Sequence, residues 1–307
     1  MANCELRIAN CELSSEPLPG TLYVVGTPIG NLEDMTFRGV RILQSVNLIA
    51  AEDTRHTGKL LQRFQVKTPQ VSYHEHNRSS RIPELVNLLR EGKTIALVSD
   101  AGMPGISDPG YELIAECVSV GIPVVPIPGA TAAITALSAS GLPSNTFVFE
   151  GFLPAKAKQR REQIEVLKTE PRTIIFYESP YRLRDTLKDL LDIIGNSRRI
   201  VIARELTKLY EEFWRGTLSE ACQYYTEKEP QGEYTVLLAP SPLSKIEVSE
   251  EELKEELIKL ISQGVSRSQA SRQLAKATGA NRRQLYQLAL AIEGFEEGAL
   301  SDTGDEE

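Results

Sequence analysis

The first half of the chain alternates short runs of apolar, β-branched residues with stretches of helical periodicity. The strand-like runs are TLYVV, NLIAA, TIALV and IPVVPI, and each is followed by glycine, proline or charged residues. Helices are predicted between and after them, near 36–44, 81–90, 111–120 and 129–140. Short strands separated by helices of this length predict βαβ units and a mostly parallel sheet.

The pattern changes near residues 141–145. Strand-like runs now dominate, and they are TFVFEG, TIIFY, RIVIA, EEFWRG and EYTVLLA. Helices are predicted only near 157–168, 180–193 and 218–226. Neighbouring strands at the end are expected to pair antiparallel through short turns such as PQGE. The sequence therefore predicts one α/β domain over 20–139 and a second, with a mixed sheet, over 140–240.

Three further segments flank these domains. Residues 1–19, in which ANCEL occurs twice, are expected to form a disordered leader. Residues 241–248 are rich in proline and serine and predict a linker. Residues 249–292 predict a small all-α domain, with Ser249 as a helix N-cap and a helix-turn-helix around TGAN. The acidic tail 293–307 is expected to be disordered.

Composition excludes several classes of protein. With 41% hydrophobic and 25% charged residues among 307, the chain is typical of a globular protein. No apolar run approaches the roughly 18 residues of a membrane span and no signal peptide pattern opens the chain, so a cytoplasmic location without a membrane partner is expected. The four cysteines form no CxxC pair. His74 and His76 lack further ligands at a suitable spacing, so the sequence predicts no metal and places them in a loop facing RNA or a dimer partner.

Two glycine-rich stretches follow strands, GTPIGN and SDAGMPGISDPG. Such loops often bind phosphates, but neither matches a phosphate-binding motif, and no lysine follows. Pro28 and Pro104 also remove N–H donors that a phosphate would need. A phosphate-free cofactor with a positive centre, S-adenosylmethionine, fits better. Asp108 is predicted to cap the helix at 111–120.

Several motifs carry a family resemblance. They are VVGTPIGNLEDMTFR, AEDTRHTGKLL, LVSDAGMPGISDPG, PIPGATAAITALSASGLP, FEGFLP, FYESPYRL and ARELTKLYEEFWRG. In this order, over Gly20 to Pro240, they resemble the tetrapyrrole-methylase superfamily, and most closely its members that methylate small-subunit ribosomal RNA. The C-terminal helices are similar to the helix-turn-helix domain of those members.

The resemblance implies a fold, an activity and partners. The fold is two α/β domains with the cofactor in the cleft between them, an arrangement distinct from the Rossmann methyltransferases. The activity is S-adenosylmethionine-dependent 2′-O-methylation of a cytidine in the decoding region of 16S rRNA. The partners are the 30S ribosomal subunit and a second copy of the chain, as a homodimer.

The resemblance also implies which residues hold the cofactor. In the first domain they are Pro28, Asp100, Ala101, Gly102, Ile106, Ser107, Thr131 and Ala132. In the second domain they are Tyr177, Leu206, Glu233 and Tyr234.

The cluster AEDTR supplies the predicted catalytic residues, Glu52, Asp53 and Arg55. A carboxylate can take the proton of a ribose hydroxyl, and an arginine can hold a phosphate. A structural salt bridge within this triad is an equally good interpretation. Glu178, Glu205 and Lys208 are further charged candidates from the second domain.

RNA contacts are expected despite the net charge of −8. The segment 262–292 contains basic residues and no acidic one, so local charge favours nucleic acid there. The predicted RNA-binding residues are Lys156, Lys158, Arg160, Arg161, Arg204, Arg267, Arg272, Arg282 and Arg283.

Two other functions remain open from the sequence. A tetrapyrrole C-methyltransferase, acting on uroporphyrinogen or a cobalamin precursor, would also use the basic segment at 156–161, but it leaves the helix-turn-helix without a role. A non-catalytic RNA-binding assembly factor would explain the helices, but it leaves the two glycine-rich loops without one.

Overall fold

The computed structural model describes residues 17–241, 250–278 and 280–292. These divide into two compact units between Ala239 and Pro240. The predicted leader up to residue 16, most of the linker, the Ser249 cap and the acidic tail from residue 293 lie outside the described residues. Among the described helices, none has the length and apolar character needed to cross a membrane.

The larger unit begins with a five-stranded sheet. Its strands are β1 (Leu22–Val25), β2 (Leu48–Ala51), β3 (Gln70–Ser72), β4 (Ile95–Val98) and β5 (Val124–Ile127). They lie in the order β3-β2-β4-β1-β5, and every pairing is parallel. The predicted parallel sheet is confirmed. Strands β1 and β4 are fully buried, as expected for a sheet covered on both faces.

Four helices connect these strands, namely α1 (Phe37–Ser45), α2 (Thr54–Arg63), α3 (Arg78–Arg90) and α4 (Tyr111–Ser119). The sequence analysis did not predict α2. Its apolar stripe is only Leu60 and Leu61 plus the buried Thr57, which is too short to show helical periodicity. Its N-cap is Asp53, whose side chain accepts a hydrogen bond from the backbone N–H of Arg55 at 2.8 Å.

A second five-stranded sheet follows in the order β6-β7-β10-β8-β9. Its strands are β6 (Phe147–Phe152), β7 (Thr173–Glu178), β8 (Arg199–Arg204), β9 (Glu212–Thr217) and β10 (Tyr234–Leu238). Strands β6 and β7 are parallel and the other pairs antiparallel, so the predicted mixed sheet is confirmed. Helices α6 (Ala157–Leu167), α7 (Pro180–Ile194) and α8 (Leu218–Glu227) accompany it.

The prediction that PQGE joins paired strands is wrong. Residues 230–233 lead from α8 into β10, whose partners are β7 and β8. The antiparallel hairpin is instead β8–β9, and residues 205–211 join its strands.

Helix α5 (Ala132–Ser140) connects the two halves in sequence but packs on the second sheet. Its Ala133, Ala136 and Leu137 are buried in one cluster with Val201 and Leu237. The predicted boundary at residue 139 places this helix with the first domain, whereas its packing places it with the second.

The smaller unit contains three helices among its described residues, α9 (Glu250–Ser262), α10 (Arg267–Thr278) and α11 (Arg282–Leu290). Leu257, Ala270, Leu274, Leu285 and Ala289 are buried in its core. The predicted all-α helix-turn-helix domain is confirmed, and α10 and α11 are its two helices.

Candidate active site: two adjoining cavities at the strand ends

The two predicted glycine-rich loops touch at the carboxyl ends of the neighbouring strands β1 and β4. Thr27 and Gly102 exchange backbone hydrogen bonds of 2.9 and 3.1 Å. The Thr27 hydroxyl also donates to the carbonyl oxygen of Ser99 at 3.2 Å. The carboxyl ends of parallel strands are where open α/β sheets bind ligands.

A close approach of two glycines brings a third loop to this edge. A Cβ atom on either Gly26 or Gly129 would lie 2.7 Å from the α-carbon of the other. No side chain fits there, so glycine is required at both positions. The contact joins the end of β1 to the residues before α5.

The first cavity has a volume of about 350 Å³ and lies between the two halves of the larger unit. Ten of the predicted cofactor residues line it, namely Ala101, Gly102, Ile106, Ser107, Thr131, Ala132, Tyr177, Leu206, Glu233 and Tyr234. It is lined in addition by Ile29, Phe152, Asp108 and Glu178, among others.

The second cavity, of about 490 Å³, adjoins the first, and both are lined by Ile29, Ala101 and Glu233. The other two predicted cofactor residues, Pro28 and Asp100, line this one. Its cationic side chains are Lys59 and Lys208, and His56 is a further basic group. The first cavity is therefore lined by carboxylates, whereas the second carries two lysines as well as Asp100 and Glu233.

Asp108 has an environment that the sequence did not reveal. The predicted N-cap role is wrong, because Gly110 precedes α4 and no side chain caps the helix. Burial, together with the charges of Glu52 and Asp100, raises the pKa of Asp108 to about 6. An opposite charge in the cavity would favour its ionised form.

Glu178 is the second buried carboxylate of the first cavity, with 2% of its surface exposed. It accepts hydrogen bonds from the Thr186 hydroxyl at 2.6 Å and from the backbone N–H of Ser179 at 2.8 Å. These contacts hold the carboxylate in place at the end of β7. Nearby, the Tyr177 hydroxyl accepts a hydrogen bond from the backbone N–H of Ala133 at 3.3 Å, and burial raises the pKa of this tyrosine.

The three predicted catalytic residues line neither cavity. Asp53 and Arg55 form an exposed salt bridge of 2.7 Å, and hydrogen bonds from Arg55 hold the pKa of Asp53 well below its usual value. The backbone N–H of Asp53 donates to Oδ1 of Asp100 at 3.2 Å, and Oε2 of Glu52 accepts from the backbone N–H of Asp100 at 3.2 Å. Burial raises the pKa of Glu52. Glu52 and Asp53 thus fix the position of Asp100, which does line the second cavity.

Two of the arginines predicted to bind RNA form ion pairs and hydrogen bonds within the protein. Arg160 has 5% of its surface exposed and forms a salt bridge of 2.8 Å with Asp189. Arg204 donates to the carbonyl oxygen of Gln231 at 2.6 Å and lies 3.6 Å from a carboxylate oxygen of Glu212. Both guanidinium groups are thus held by contacts within the protein, which argues against the predicted RNA contacts.

The remaining predicted RNA contacts differ in how available they are. Arg161 pairs with Asp189 at 2.6 Å and Asp192 at 3.2 Å. Lys156 and Lys158 are exposed at the start of α6. In the helical unit, Arg272, Arg282 and Arg283 are exposed, whereas Arg267 donates to the carbonyl oxygen of Ile292 at 3.3 Å.

The sequence analysis missed His56 and Lys59 as lining residues. Both lie on α2, at positions i and i+3, which share one face of a helix. This shared helix face could be recognised in the sequence only if α2 itself had been predicted. The histidines His74 and His76 lie with ring centroids 6.0 Å apart, and the described residues contain no cluster of three or more metal-ligating side chains.

This pair of α/β halves with a cavity between them defines a class of proteins. Solved structures of the same fold include the cobalt-precorrin-4 methyltransferase CbiF, with a TM-score of 0.56 and 16% identity over 72% of this chain and 95% of that one. Diphthine synthase gives a TM-score of 0.57 at 13% identity, covering 71% of this chain and 90% of that one. Uroporphyrin-III C-methyltransferase from Thermus thermophilus, solved in complex with S-adenosyl homocysteine, gives 0.51 at 18% identity, covering 71% and 97%.

Sequence comparison identifies the family. Residues 21–222 match the tetrapyrrole (corrin/porphyrin) methylases, and residues 247–293 match the RsmI C-terminal HTH domain. Curated relatives named ribosomal RNA small subunit methyltransferase I occur in Synechocystis sp., 58% identical over 89% of this chain and 99% of the relative, and in Halalkalibacterium halodurans, 52% identical over 88% and 94%. The Bacillus subtilis relative of that name is 47% identical over 87% and 93%. The chain belongs to the tetrapyrrole methylases and, within them, to the family of ribosomal RNA small subunit methyltransferase I.

Proposed function

We propose that this chain transfers the methyl group of S-adenosylmethionine to the ribose 2′-hydroxyl of a cytidine in the decoding region of 16S rRNA. The observation that carries the proposal is the pair of adjoining cavities that share Ile29, Ala101 and Glu233. A methyl donor in one chamber and a ribose in the other would meet at this shared wall. The relatives at 47–58% identity, all named as ribosomal RNA methyltransferases, support RNA as the acceptor.

The first cavity suits the cofactor chemically. S-adenosylmethionine supplies a methyl group already activated on a cationic sulfur and carries a second positive charge on its amino group. Asp108, Glu178 and Glu233 place carboxylates in this cavity. Glu178 lies 3.4 Å from Arg182 and Glu233 pairs with Lys208, so Asp108 supplies the negative charge that stabilises a cationic ligand. Phe152 and Tyr177, whose ring centroids lie 5.6 Å apart, supply aromatic surface for an adenine.

The second cavity suits a nucleotide. Lys59 supplies a cation to a phosphate, the group to which most protein contacts with nucleic acid are made, whereas Lys208 is already paired with Glu205 and Glu233. In the described part of the chain, no carboxylate pairs with Lys59. Its charge is therefore free to neutralise RNA.

We assign the role of general base to Asp100, a residue that the family resemblance places with the cofactor but that lines the second cavity and not the first. Its carboxylate lines the second cavity, directly before Ala101 in the shared wall, and Glu52 and Asp53 hold it there. S-adenosylmethionine would supply the methyl group to the ribose oxygen and leave as the neutral thioether, and Asp100 would accept the hydroxyl proton. General-base catalysis of this kind contributes about 10²–10⁴-fold. Glu52 and Asp53 then act as positioning residues, and Arg55 acts through Asp53.

The remaining predictions extend this proposal. The substrate is 16S rRNA, either free or within the 30S subunit, in the cytoplasm, and the functional form is a homodimer. The exposed Arg272, Arg282 and Arg283 of the helical unit bind RNA phosphates, as do Lys156 and Lys158 of the larger unit.

The test is transfer of tritium from labelled S-adenosylmethionine to 30S particles from a strain lacking the endogenous enzyme. Uroporphyrinogen serves as the rival acceptor in a parallel reaction. Label in an alkali-resistant dinucleotide of 16S rRNA supports ribose methylation, whereas label in the tetrapyrrole alone would overturn the proposal. Asp100→Asn should retain cofactor binding and lose at least a hundredfold in transfer rate, while exposed Glu33→Gln, which lines neither cavity, should match the wild type.

A further inference from the structure

The loop at 205–211 carries two exposed apolar side chains at the tip of the β8–β9 hairpin. Leu209 has 88% and Tyr210 67% of its surface exposed. Two large apolar side chains that are adjacent in sequence and both exposed form an apolar patch. Such patches often mark a binding surface. Neither side chain contributes to the hydrophobic core.

The loop is held in one conformation. Glu205 and Thr207 have φ angles of 51° and 65°, in the left-handed region that non-glycine residues rarely occupy. Lys208 Nζ bonds to Glu205 Oε1 at 2.9 Å and to Glu233 Oε2 at 2.8 Å. The backbone N–H of Asn31 donates to the Thr207 hydroxyl at 3.1 Å, which attaches the loop to the first half of the unit. Strained residues persist only where such contacts over-determine them, and they occur often at functional sites.

The position of the loop relates its tip to the acceptor. Lys208, directly before Leu209, lines the second cavity, and Leu206 lines the first. Leu209 therefore directly follows a residue that lines the second cavity, which is the cavity proposed to take the nucleotide and which is also lined by Lys59 and His56.

We propose that Tyr210 is a stacking platform for an RNA base that flanks the acceptor nucleotide, with Leu209 packing against the same base or its sugar. The proposal rests on the proposed function for its RNA substrate. Single-stranded RNA is recognised by aromatic rings beside cationic grooves, which is the combination present here. Two side chains supply far less than the roughly 800 Å² per partner of a stable protein interface, so a base suits this tip better than a second protein.

The experiment compares Tyr210→Ala, Tyr210→Leu and Tyr210→Trp in the full-length chain. Substrate is 30S particles lacking the modification, and the readouts are kcat, KM for the particles, and the dissociation constant for S-adenosylmethionine by calorimetry. Stacking on an aromatic ring predicts that KM rises about fivefold to a hundredfold in the Ala and Leu variants and stays within about twofold of wild type in Trp. Cofactor affinity should not change. Tyr111→Ala, at an equally exposed tyrosine (71%) that lines neither cavity, is the matched control and should behave as wild type.

Each alternative has its own outcome. If Tyr210→Leu retains the wild-type KM, apolar contact without stacking suffices and the proposal is wrong. If Tyr210→Ala changes the sedimentation coefficient of the free protein, the tip contacts a second copy and the proposal is likewise wrong. Failure of the proposed function looks different, because then the wild type itself transfers no label to 16S rRNA.

Discussion

The Lys208 side chain lies directly over Gly30. A Cβ atom at Gly30 would collide with Cγ of Lys208 and would lie 2.8 Å from the Thr207 hydroxyl and 3.1 Å from the carbonyl oxygen of Leu206. Gly30 belongs to the loop after β1, and Lys208 belongs to the β8–β9 loop. The absence of a side chain at Gly30 is therefore what lets the two halves close over both cavities.

Gly30→Ala should weaken binding of S-adenosylmethionine. The added methyl displaces Lys208 and with it the ion pair to Glu233, a residue that lines both cavities. Glu233 has 81% of its side chain exposed, and an ion pair this exposed contributes about 0.2–1 kcal/mol, so calorimetry should find binding weaker by about twofold to fivefold. Gly58→Ala is the control, because a Cβ there meets only Gln70 Nε2 at 3.7 Å. Equal affinity in both variants would contradict the closure described above.

Affinity for S-adenosylmethionine should fall as the pH drops below about 6. The pKa of Asp108 is raised to about 6, so its carboxylate is ionised above that pH and protonated below it. The attraction for a cationic ligand is therefore present at neutral pH and lost on acidification. Titration calorimetry from about pH 7.5 to about pH 5 should show this loss in the wild type and a flatter profile in Asp108→Asn. Asp53→Asn should keep the wild-type profile, since the lowered pKa of Asp53 leaves it ionised throughout.

Arg160→Ala should destabilise the fold. Its partner Asp189 has only 11% of its side chain exposed, and removing one member of a buried pair costs about 3–5 kcal/mol. Because Arg161 also pairs with Asp189, the carboxylate keeps one partner in the variant. The free energy of unfolding should therefore fall by about 3 kcal/mol, the lower end of that range. Urea denaturation measures it. The control Lys158→Ala removes an 88% exposed side chain and should cost less than about 1 kcal/mol while weakening RNA binding. A fully stable Arg160→Ala would contradict the structural role.

The double variant Arg282→Ala, Arg283→Ala should reduce the salt dependence of RNA binding. Both arginines are exposed in the first turn of α11, where they can reach phosphates. Each lost phosphate contact lowers the slope of log K against log salt by about 1, measurable by filter binding over a salt series. Lys254→Ala on α9, where Lys254 pairs with Glu250 at 3.0 Å, should leave the slope unchanged. An unchanged slope in the double variant would exclude α11 from the RNA contact.

Much of the candidate site was visible in the sequence because it lies in two continuous loops. Ala101, Gly102, Ile106 and Ser107 share one stretch of glycine and proline whose conformation is set locally, and all four line the first cavity. Asp108, in the same stretch, was misassigned because an aspartate before a helix usually caps it. Its actual environment depends on Glu52 and Asp100, which only the adjacent ends of β2 and β4 bring near.

For the lysines and arginines, by contrast, the sequence did not show which side chains are exposed and which are paired. In the sequence, Arg160 and Lys158 are equivalent members of one basic segment. In the structure, Arg160 pairs with a carboxylate on α7 and is buried, while Lys158 is exposed. Similarly, His56 and Lys59 on α2 line the same cavity as Lys208 of the β8–β9 loop only because the fold brings that helix and that loop together.

The sequence by itself determined the two sheets, the helical C-terminal unit and the loops that line the cofactor cavity, because periodicity and turn chemistry act over a few neighbouring residues. Only the tertiary structure decided which carboxylates line the cavities and which cationic side chains are exposed rather than paired. Those properties depend on burial and on partners that lie far away along the chain.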